Sequence, residues 1–168
     1  MVVIVMGVVG VGKSTVGRLL AEQLGWSFVD ADHYHSVGNI EKMRSGTPLT
    51  DEDRRPWLLH LRAIISDWIT QGRNGVLACS ALKHRYQDEL RIGPEVRFIL
   101  LNGDANLIAQ RLQMRQGHFA GTAILASQLA DLEAPEESLS IEISQSPEKI
   151  VGQIRARLGL AQNRADGI

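Results

Sequence analysis

Eight consecutive residues near the N-terminus have the types and spacing of a phosphate-binding loop. They are Gly7, Val8, Val9, Gly10, Val11, Gly12, Lys13 and Ser14, and they match G-x-x-x-x-G-K-[ST] without a gap. Glycines let backbone N–H groups curl around phosphate oxygens, the lysine reaches the β- and γ-phosphates, and the serine hydroxyl can ligate Mg²⁺. An apolar stretch precedes the loop and an amphipathic stretch follows it. The pattern therefore predicts a nucleotide site, to which we also assign the next residue, Thr15.

Two carboxylates, Asp30 and Asp32, follow the second apolar stretch. At positions i and i+2 of an extended segment they would lie on the same side, near the carboxyl end of a sheet. One could hold a Mg²⁺-bound water, and the other could accept the proton of an attacking hydroxyl. The stretch that ends at Cys79 has no acid, whereas ordinary P-loop ATPases and GTPases have a metal-binding aspartate there. The sequence thus favours a kinase over a GTPase switch or an ATP-driven motor.

Short apolar stretches alternate with helical patterns along the chain. The apolar stretches of strand length are residues 2–6, 26–29, 76–79, 96–101 and 139–143. One helical pattern follows the glycine-rich loop and ends at Gly25, and another has an apolar face over residues 57–68. Thr50 is the predicted N-cap of the second helix, with Asp53 completing a variant of the capping box. This alternation predicts an α/β fold with a five-stranded, mainly parallel sheet flanked by helices.

Size and composition exclude several classes of protein. The 168 residues fit a single domain, and a net charge of −1 gives no basic field for nucleic acid or an anionic membrane. Cys79 is the single cysteine, so an intrachain disulfide and a CxxC-type zinc site cannot form. The apolar N-terminus lacks a basic region before it, and no apolar run approaches the roughly 18 residues that span a bilayer. We therefore expect a cytoplasmic globular protein.

Several longer strings resemble the thermoresistant-type gluconokinase family. They are residues 28–35, residues 39–43, residues 46–58, residues 79–83 with Tyr86, then Arg111, Arg115, His118, Phe119, Ser127 and Gln128. The resemblance extends from about residue 3 to about residue 158. Ala31 stands where the family usually has glycine, and Ser36 stands where proline is frequent. Neither difference removes a reactive group.

The resemblance implies a single kinase domain over residues 1–168 with a P-loop NTPase fold of the nucleoside-monophosphate-kinase-like type. A substrate-binding insert would cover about residues 33–56, and a lid about residues 115–123. It further implies transfer of the γ-phosphoryl group of ATP to the 6-hydroxyl of D-gluconate, which gives 6-phospho-D-gluconate and ADP. Enzymes of this family are often homodimers, although no surface patch in the sequence predicts one here.

The resemblance also suggests roles on the nucleotide side. Asp32 is the candidate base or hydroxyl-orienting group, while Ser14 and Asp30 would hold Mg²⁺, with Asp30 in its outer shell. Lys13 and Arg115 are the cations expected on the transferring phosphoryl group. Arg111 lies one helical turn before Arg115, so both share a helix face, and Arg111 is expected to stack on adenine.

The acceptor needs a cation for its carboxylate and polar groups for its hydroxyls. Arg54 is the first candidate for the carboxylate, because a guanidinium binds it through two hydrogen bonds. His35 and Lys83 are further candidates, as are backbone N–H groups around Ser80. His118 is either a lid residue near the substrate or an ordinary surface histidine. Trp57 and Trp68 lie on an apolar helix face, which predicts core positions for both.

Two other interpretations stay open. The chain could be another small-molecule kinase of the same architecture, such as a shikimate-type kinase. It could instead be a regulatory protein that binds a nucleotide without catalysis. The intact set of Lys13, Ser14, Asp30, Asp32 and Arg115 argues against the second.

Overall fold

The computed structural model describes residues 1–116 and 120–160, with only the backbone given for residues 115, 116 and 120–123. This part of the chain has five strands: β1 (Val2–Met6), β2 (Ser27–Asp30), β3 (Gly75–Ala78), β4 (Val96–Asn102) and β5 (Ser138–Glu142). Its seven α-helices are α1 (Lys13–Leu24), α2 (Val37–Arg44), α3 (Asp51–Thr70), α4 (His84–Leu90), α5 (Ala105–Gln116), α6 (Ala120–Asp131) and α7 (Pro147–Arg157). A 3₁₀ helix, Ala31–Tyr34, follows β2. All five predicted strands are confirmed to within one residue at each end.

The sheet has the strand order β2-β3-β1-β4-β5, and every neighbouring pair is parallel. Met6 at the end of β1 pairs with Leu100, and Asp30 at the end of β2 pairs with Ala78. The carboxyl ends of the strands therefore share one edge. Ligands of open α/β sheets bind at this edge, and here it carries the glycine-rich loop, both aspartates and residues 79–83.

Both faces of the sheet are covered. In β1 the side chains alternate: Val3 and Val5 face one hydrophobic cluster, while Val2, Ile4 and Met6 face the other. All five are fully buried. The first cluster includes residues of α1 and α7, and the second includes residues of α3 and α4. A strand buried on both faces gives a rigid base for the loop that follows it.

The segment between the 3₁₀ helix and α3 is fixed by polar contacts. The predicted capping box is confirmed, since Thr50 accepts from the Asp53 N–H and Asp53 accepts from the Thr50 N–H. Lys42 of α2 lies 2.7 Å from the Asp53 carboxylate, and this hydrogen bond is the main reason that the pKa of Asp53 falls to about 2. Ser36, one of the two departures from the family pattern, caps α2 by accepting from the Asn39 N–H. These contacts set where α3 begins.

No helix in the described residues is both long and apolar enough to cross a membrane.

Candidate active site

The glycine-rich loop joins β1 to α1, as its sequence predicts. Gly7 and Gly10 have φ angles of 140° and 85°, which side-chain-bearing residues rarely adopt. A Cβ atom at Gly7 would lie 2.5 Å from the Leu101 carbonyl oxygen, and one at Gly10 would lie 2.8 Å from Leu112. The loop can therefore take this shape only with glycine at both positions. Its curvature and the start of α1 at Lys13 provide the geometry that holds phosphate groups.

Lys13 lies over this loop. Its ammonium donates to the Val8 carbonyl at 3.0 Å. Burial lowers the pKa of Lys13, whereas the nearby Asp32, Cys79 and Asp30 act to raise it. The lysine is thus a desolvated cation that faces the carboxyl ends of β2 and β3, where a phosphate oxygen would be strongly attracted.

The two aspartates occupy different kinds of backbone, which corrects the prediction that both lie in one extended segment after the strand. Asp30 is the last residue of β2, and Asp32 lies in the 3₁₀ helix. Asp30 accepts from the Ser14 hydroxyl at 2.5 Å and from the Asp32 N–H at 3.1 Å. The reason is local: the Asp30 side chain caps the 3₁₀ helix and so turns the chain. A hydroxyl and a carboxylate side by side are oxygen ligands that suit Mg²⁺.

Asp32 is exposed. Besides acting on Lys13, the Asp32 charge acts to raise the pKa of His35. It thereby opposes burial, which is the main factor that lowers the pKa of His35. It also adds to the effect of burial on Cys79, whose pKa rises to about 12. Cys79 therefore stays protonated at neutral pH. The Asp32 carboxylate is therefore near enough to Lys13, Cys79 and His35 for its charge to act on all three.

His35 stacks on Trp57, with ring centroids 4.4 Å apart and planes 12° from parallel. Trp57 is buried, as predicted, and its indole N–H donates to the Ala31 carbonyl at 2.8 Å. Burial lowers the pKa of His35, and Arg54 lowers it further. The Nδ1 atom of His35 is buried and has no hydrogen-bond partner among the described residues. The sequence predicted His35 as a site residue but gave no indication of the tryptophan beneath it.

Arg54 is held by a group of polar side chains at the start of α3 and α4. Its guanidinium donates to the Leu49 carbonyl at 2.6 Å and to the Tyr86 hydroxyl at 3.3 Å, and lies 5.5 Å from the Tyr86 ring centroid. The Tyr86 hydroxyl in turn donates to Asp51, which lowers the pKa of Asp51. Arg85 lies 2.6 Å from Asp51. The sequence analysis identified Tyr86 as part of a family-like string, but it did not predict the contact between Tyr86 and Arg54.

Ser80 and Lys83 lie on the turn that leaves β3, residues 79–83. Ser80 is partly exposed, and Lys83 lies 3.5 Å from Asp131 at the end of α6. Lys83 also acts to lower the pKa of Asp51, after the larger effect of the Tyr86 hydrogen bond. The turn therefore lies beside the Arg54 group, although the Lys83 ammonium is directed to α6.

A cavity of about 350 Å³ lies beside the glycine-rich loop. Its lining residues include Gly10, Val11, Gly12, Thr15, Arg111, Met114 and Pro147. Arg111 donates to the Ile143 carbonyl at 2.7 Å, which holds its guanidinium against this cavity. Across the loop, the Val9 N–H donates to Gln128 of α6 at 2.6 Å. The remaining predicted residues, the Arg115 side chain and His118, lie outside the described residues, as do residues 117–119 and the side chains of the rest of the predicted lid.

The fold and this site define a class. A phosphate loop, an adjoining serine–aspartate pair and a separate polar acceptor side are the parts of a P-loop kinase that acts on a small molecule.

Comparison with known proteins defines the family more closely. The shikimate kinase family model matches residues 9–154. The thermosensitive gluconokinase of Escherichia coli (strain K12) is 41% identical, covering 96% of this chain and 89% of that protein. A gluconokinase of Gluconobacter oxydans (strain 621H) is 46% identical over 79% and 75% of the two chains. The crystal structure of a gluconokinase from Sinorhizobium meliloti 1021 has a TM-score of 0.81 at 38% identity, covering 94% and 90%. The chain therefore belongs to the gluconokinase family, within the wider group that the shikimate kinase model describes.

Proposed function

We propose that this protein transfers the γ-phosphoryl group of ATP to the 6-hydroxyl of D-gluconate. The names of its relatives support this substrate. The observation that carries the proposal is that the Asp32 charge acts both on the loop lysine and on His35, which stacks on Trp57 and which Arg54 also influences. A phosphoryl donor and an acidic acceptor would meet at this carboxylate.

On the nucleotide side, residues 7–15 hold the phosphates through backbone N–H groups and Lys13. Arg111 lies against the base in the adjoining cavity, and Arg115 neutralises the transferring group. Ser14 and Asp30 would hold Mg²⁺, with Asp30 in its outer shell. When bound, the ion neutralises charge on the β- and γ-phosphates.

On the acceptor side, Arg54 binds the carboxylate of gluconate, and His35, Ser80 and Lys83 contact its hydroxyls. Asp32 orients the 6-hydroxyl and receives its proton as the hydroxyl oxygen bonds to the γ-phosphorus. The bond from the γ-phosphorus to the β,γ-bridging oxygen breaks, and ADP leaves with that oxygen. The unpaired Nδ1 of His35 supports this assignment, because a buried polar atom without a partner suits a ligand hydroxyl.

The remaining parts of the proposal concern the whole molecule. Residues 1–168 form one kinase domain, with the acceptor insert at about 33–56 and a lid at about 115–123 that includes His118. We also propose a cytoplasmic location, where ATP is available as the donor. The homodimer that the family resemblance suggests stays a prediction, which light scattering of the purified protein tests.

A coupled assay of ADP release tests the proposal with gluconate, shikimate or no acceptor. Turnover with gluconate alone supports it. The shikimate kinase family model gives shikimate as the second candidate acceptor, and turnover with shikimate alone would replace the first. ATP binding without turnover on either acid would favour a non-catalytic protein.

A further inference from the structure

Gln87 is one of two polar residues with buried side chains among the described residues, with 2% of its surface exposed. Its amide nitrogen donates to the Ala81 carbonyl at 3.0 Å and to the Glu133 carbonyl at 2.7 Å. Removing this amide would leave two carbonyl groups unpaired in a desolvated place, which is unfavourable. Gln87 therefore joins the turn at residues 79–83 to the chain that leaves α6.

The turn is strained at the point that Gln87 contacts. Ala81 has a φ of 41°, the single positive φ among the non-glycine residues that the structure describes. A left-handed backbone is unfavourable for alanine and persists only where surrounding contacts impose it. Ala81 is buried, so the amide of Gln87 and the packing around it are the contacts available to do so.

Two more hydrogen bonds fix the same junction. The Glu133 N–H donates to the Leu82 carbonyl at 2.7 Å, and the His84 N–H donates to the Glu133 carboxylate at 2.5 Å. The turn is thus held from one side by its own helix α4 and from the other by the chain after α6.

We propose that Gln87 is a positioning residue for the acceptor: its two hydrogen bonds hold the turn in the shape that presents Ser80 and Lys83 to gluconate. This inference rests on the proposed function, in which the turn faces the acceptor. Both hydrogen bonds of Gln87 go to residues away from the glycine-rich loop. Its loss therefore weakens gluconate binding and leaves ATP binding unchanged.

The variant Gln87→Met tests this, because methionine keeps the length of the side chain and removes both donors. The KM for gluconate should rise by about tenfold or more, while the KM for ATP stays within about twofold. Gln71→Met is the matched control, since Gln71 is exposed just after α3 and donates its hydrogen bond to Asp67 of that helix. A folded Gln87→Met enzyme with the gluconate KM within about twofold of wild type overturns the inference.

A second variant, Gln87→Glu, serves where Gln87→Met does not fold. An ionised carboxylate cannot donate, but a protonated one donates one hydrogen bond. The gluconate KM of Gln87→Glu, divided by that of wild type, should therefore decrease as the pH falls. A ratio of the two KM values that does not change with pH contradicts the inference. Ser80→Ala and Lys83→Met separate this idea from the proposed function. If they raise the gluconate KM and Gln87→Met does not, only the inference fails. If none of the three matters, this turn is not part of the acceptor site, and the proposed function fails there too.

Discussion

The nucleotide side and the acceptor side of the site are built differently. The nucleotide side is one continuous loop between β1 and α1, and its shape follows from glycines that no larger residue could replace. The acceptor side collects residues from the 3₁₀ helix, the segment before α2, the start of α3 and the turn after β3. Its side chains take their positions from partners on other elements, such as Trp57 and Tyr86. A local motif encodes the first, and tertiary packing encodes the second.

This difference predicts how substitutions act. Changes on the nucleotide side should reduce turnover itself, because its groups act on the transferring phosphoryl group. Changes on the acceptor side, apart from Asp32 which acts on the reacting hydroxyl itself, should raise the KM for gluconate and leave that for ATP intact.

The largest effect should come from Lys13→Met. Methionine fills a similar volume but removes the desolvated cation that faces the phosphates. We expect turnover to fall by about 10³-fold or more, since electrostatic stabilisation of the transferring group is lost. Steady-state kinetics with circular dichroism as the check on folding measures this. Near-wild-type turnover in a folded variant would show that the loop is not the donor site.

Asp32→Asn should have the next largest effect. It keeps the shape of the side chain and removes the charge that accepts the proton, so turnover should fall by roughly 10²-fold. Binding of ATP, followed by calorimetry, should change little because Asp32 lies outside the glycine-rich loop. Asp30→Asn is the comparison, since it alters the group that accepts from Ser14 and should raise the Mg²⁺ concentration needed for half-maximal turnover. If turnover of Asp32→Asn falls by less than about tenfold, Asp32 is not the base and its role is structural.

The contrast between the two sides also explains what the sequence could predict. The glycine-rich loop, all five strands and the cap of α3 depend on residues close together in the chain, and these predictions are confirmed. The prediction that Asp30 and Asp32 share one extended segment was wrong. The Asp32 N–H donates to the Asp30 side chain, and residue spacing alone does not reveal this capping bond. The supports of the acceptor side were missed for a related reason. His35 and Trp57, or Arg54 and Tyr86, are separated by 22 and 32 positions, and only the packing of the helices brings them together.

Arg54→Lys tests the acceptor side directly. Lysine keeps the charge but loses the planar fork, so the KM for gluconate should rise by about tenfold while that for ATP holds. Arg55→Lys is the matched control, because neighbouring residues on a helix point about 100° apart and Arg55 is exposed. If Arg55→Lys weakens gluconate binding and Arg54→Lys does not, Arg55 binds the carboxylate of gluconate. If neither matters, Lys83 and His35 are the next candidates.

Tyr86→Phe should have a smaller effect on the same KM. The ring that Arg54 lies against is kept, but the hydroxyl that joins Arg54 to Asp51 is lost. We expect the gluconate KM to rise by about threefold and the free energy of unfolding to fall by about 1 to 2 kcal/mol, the net value of the two hydrogen bonds that this hydroxyl makes. Chemical denaturation and steady-state kinetics measure the two quantities. An unchanged gluconate KM would mean that Arg54 keeps its position without Tyr86.

The smallest effect concerns His35 and stability at low pH. Burial lowers its pKa in the folded protein below the ordinary value of 6.5, against the opposing charge of Asp32. As the pH falls below 6.5, the unfolded chain takes up a proton at this position that the folded protein does not yet accept. The free energy of unfolding should therefore decrease from this pH downward, until the lower pKa of the folded state is reached. His35→Phe keeps a ring to stack on Trp57 and cannot titrate. The free energy of unfolding of His35→Phe, relative to that of the wild type, should therefore increase as the pH falls. The difference between the two proteins at pH about 8 is the reference. A difference between the two proteins that is constant with pH would mean that His35 does not titrate differently in the folded and unfolded states.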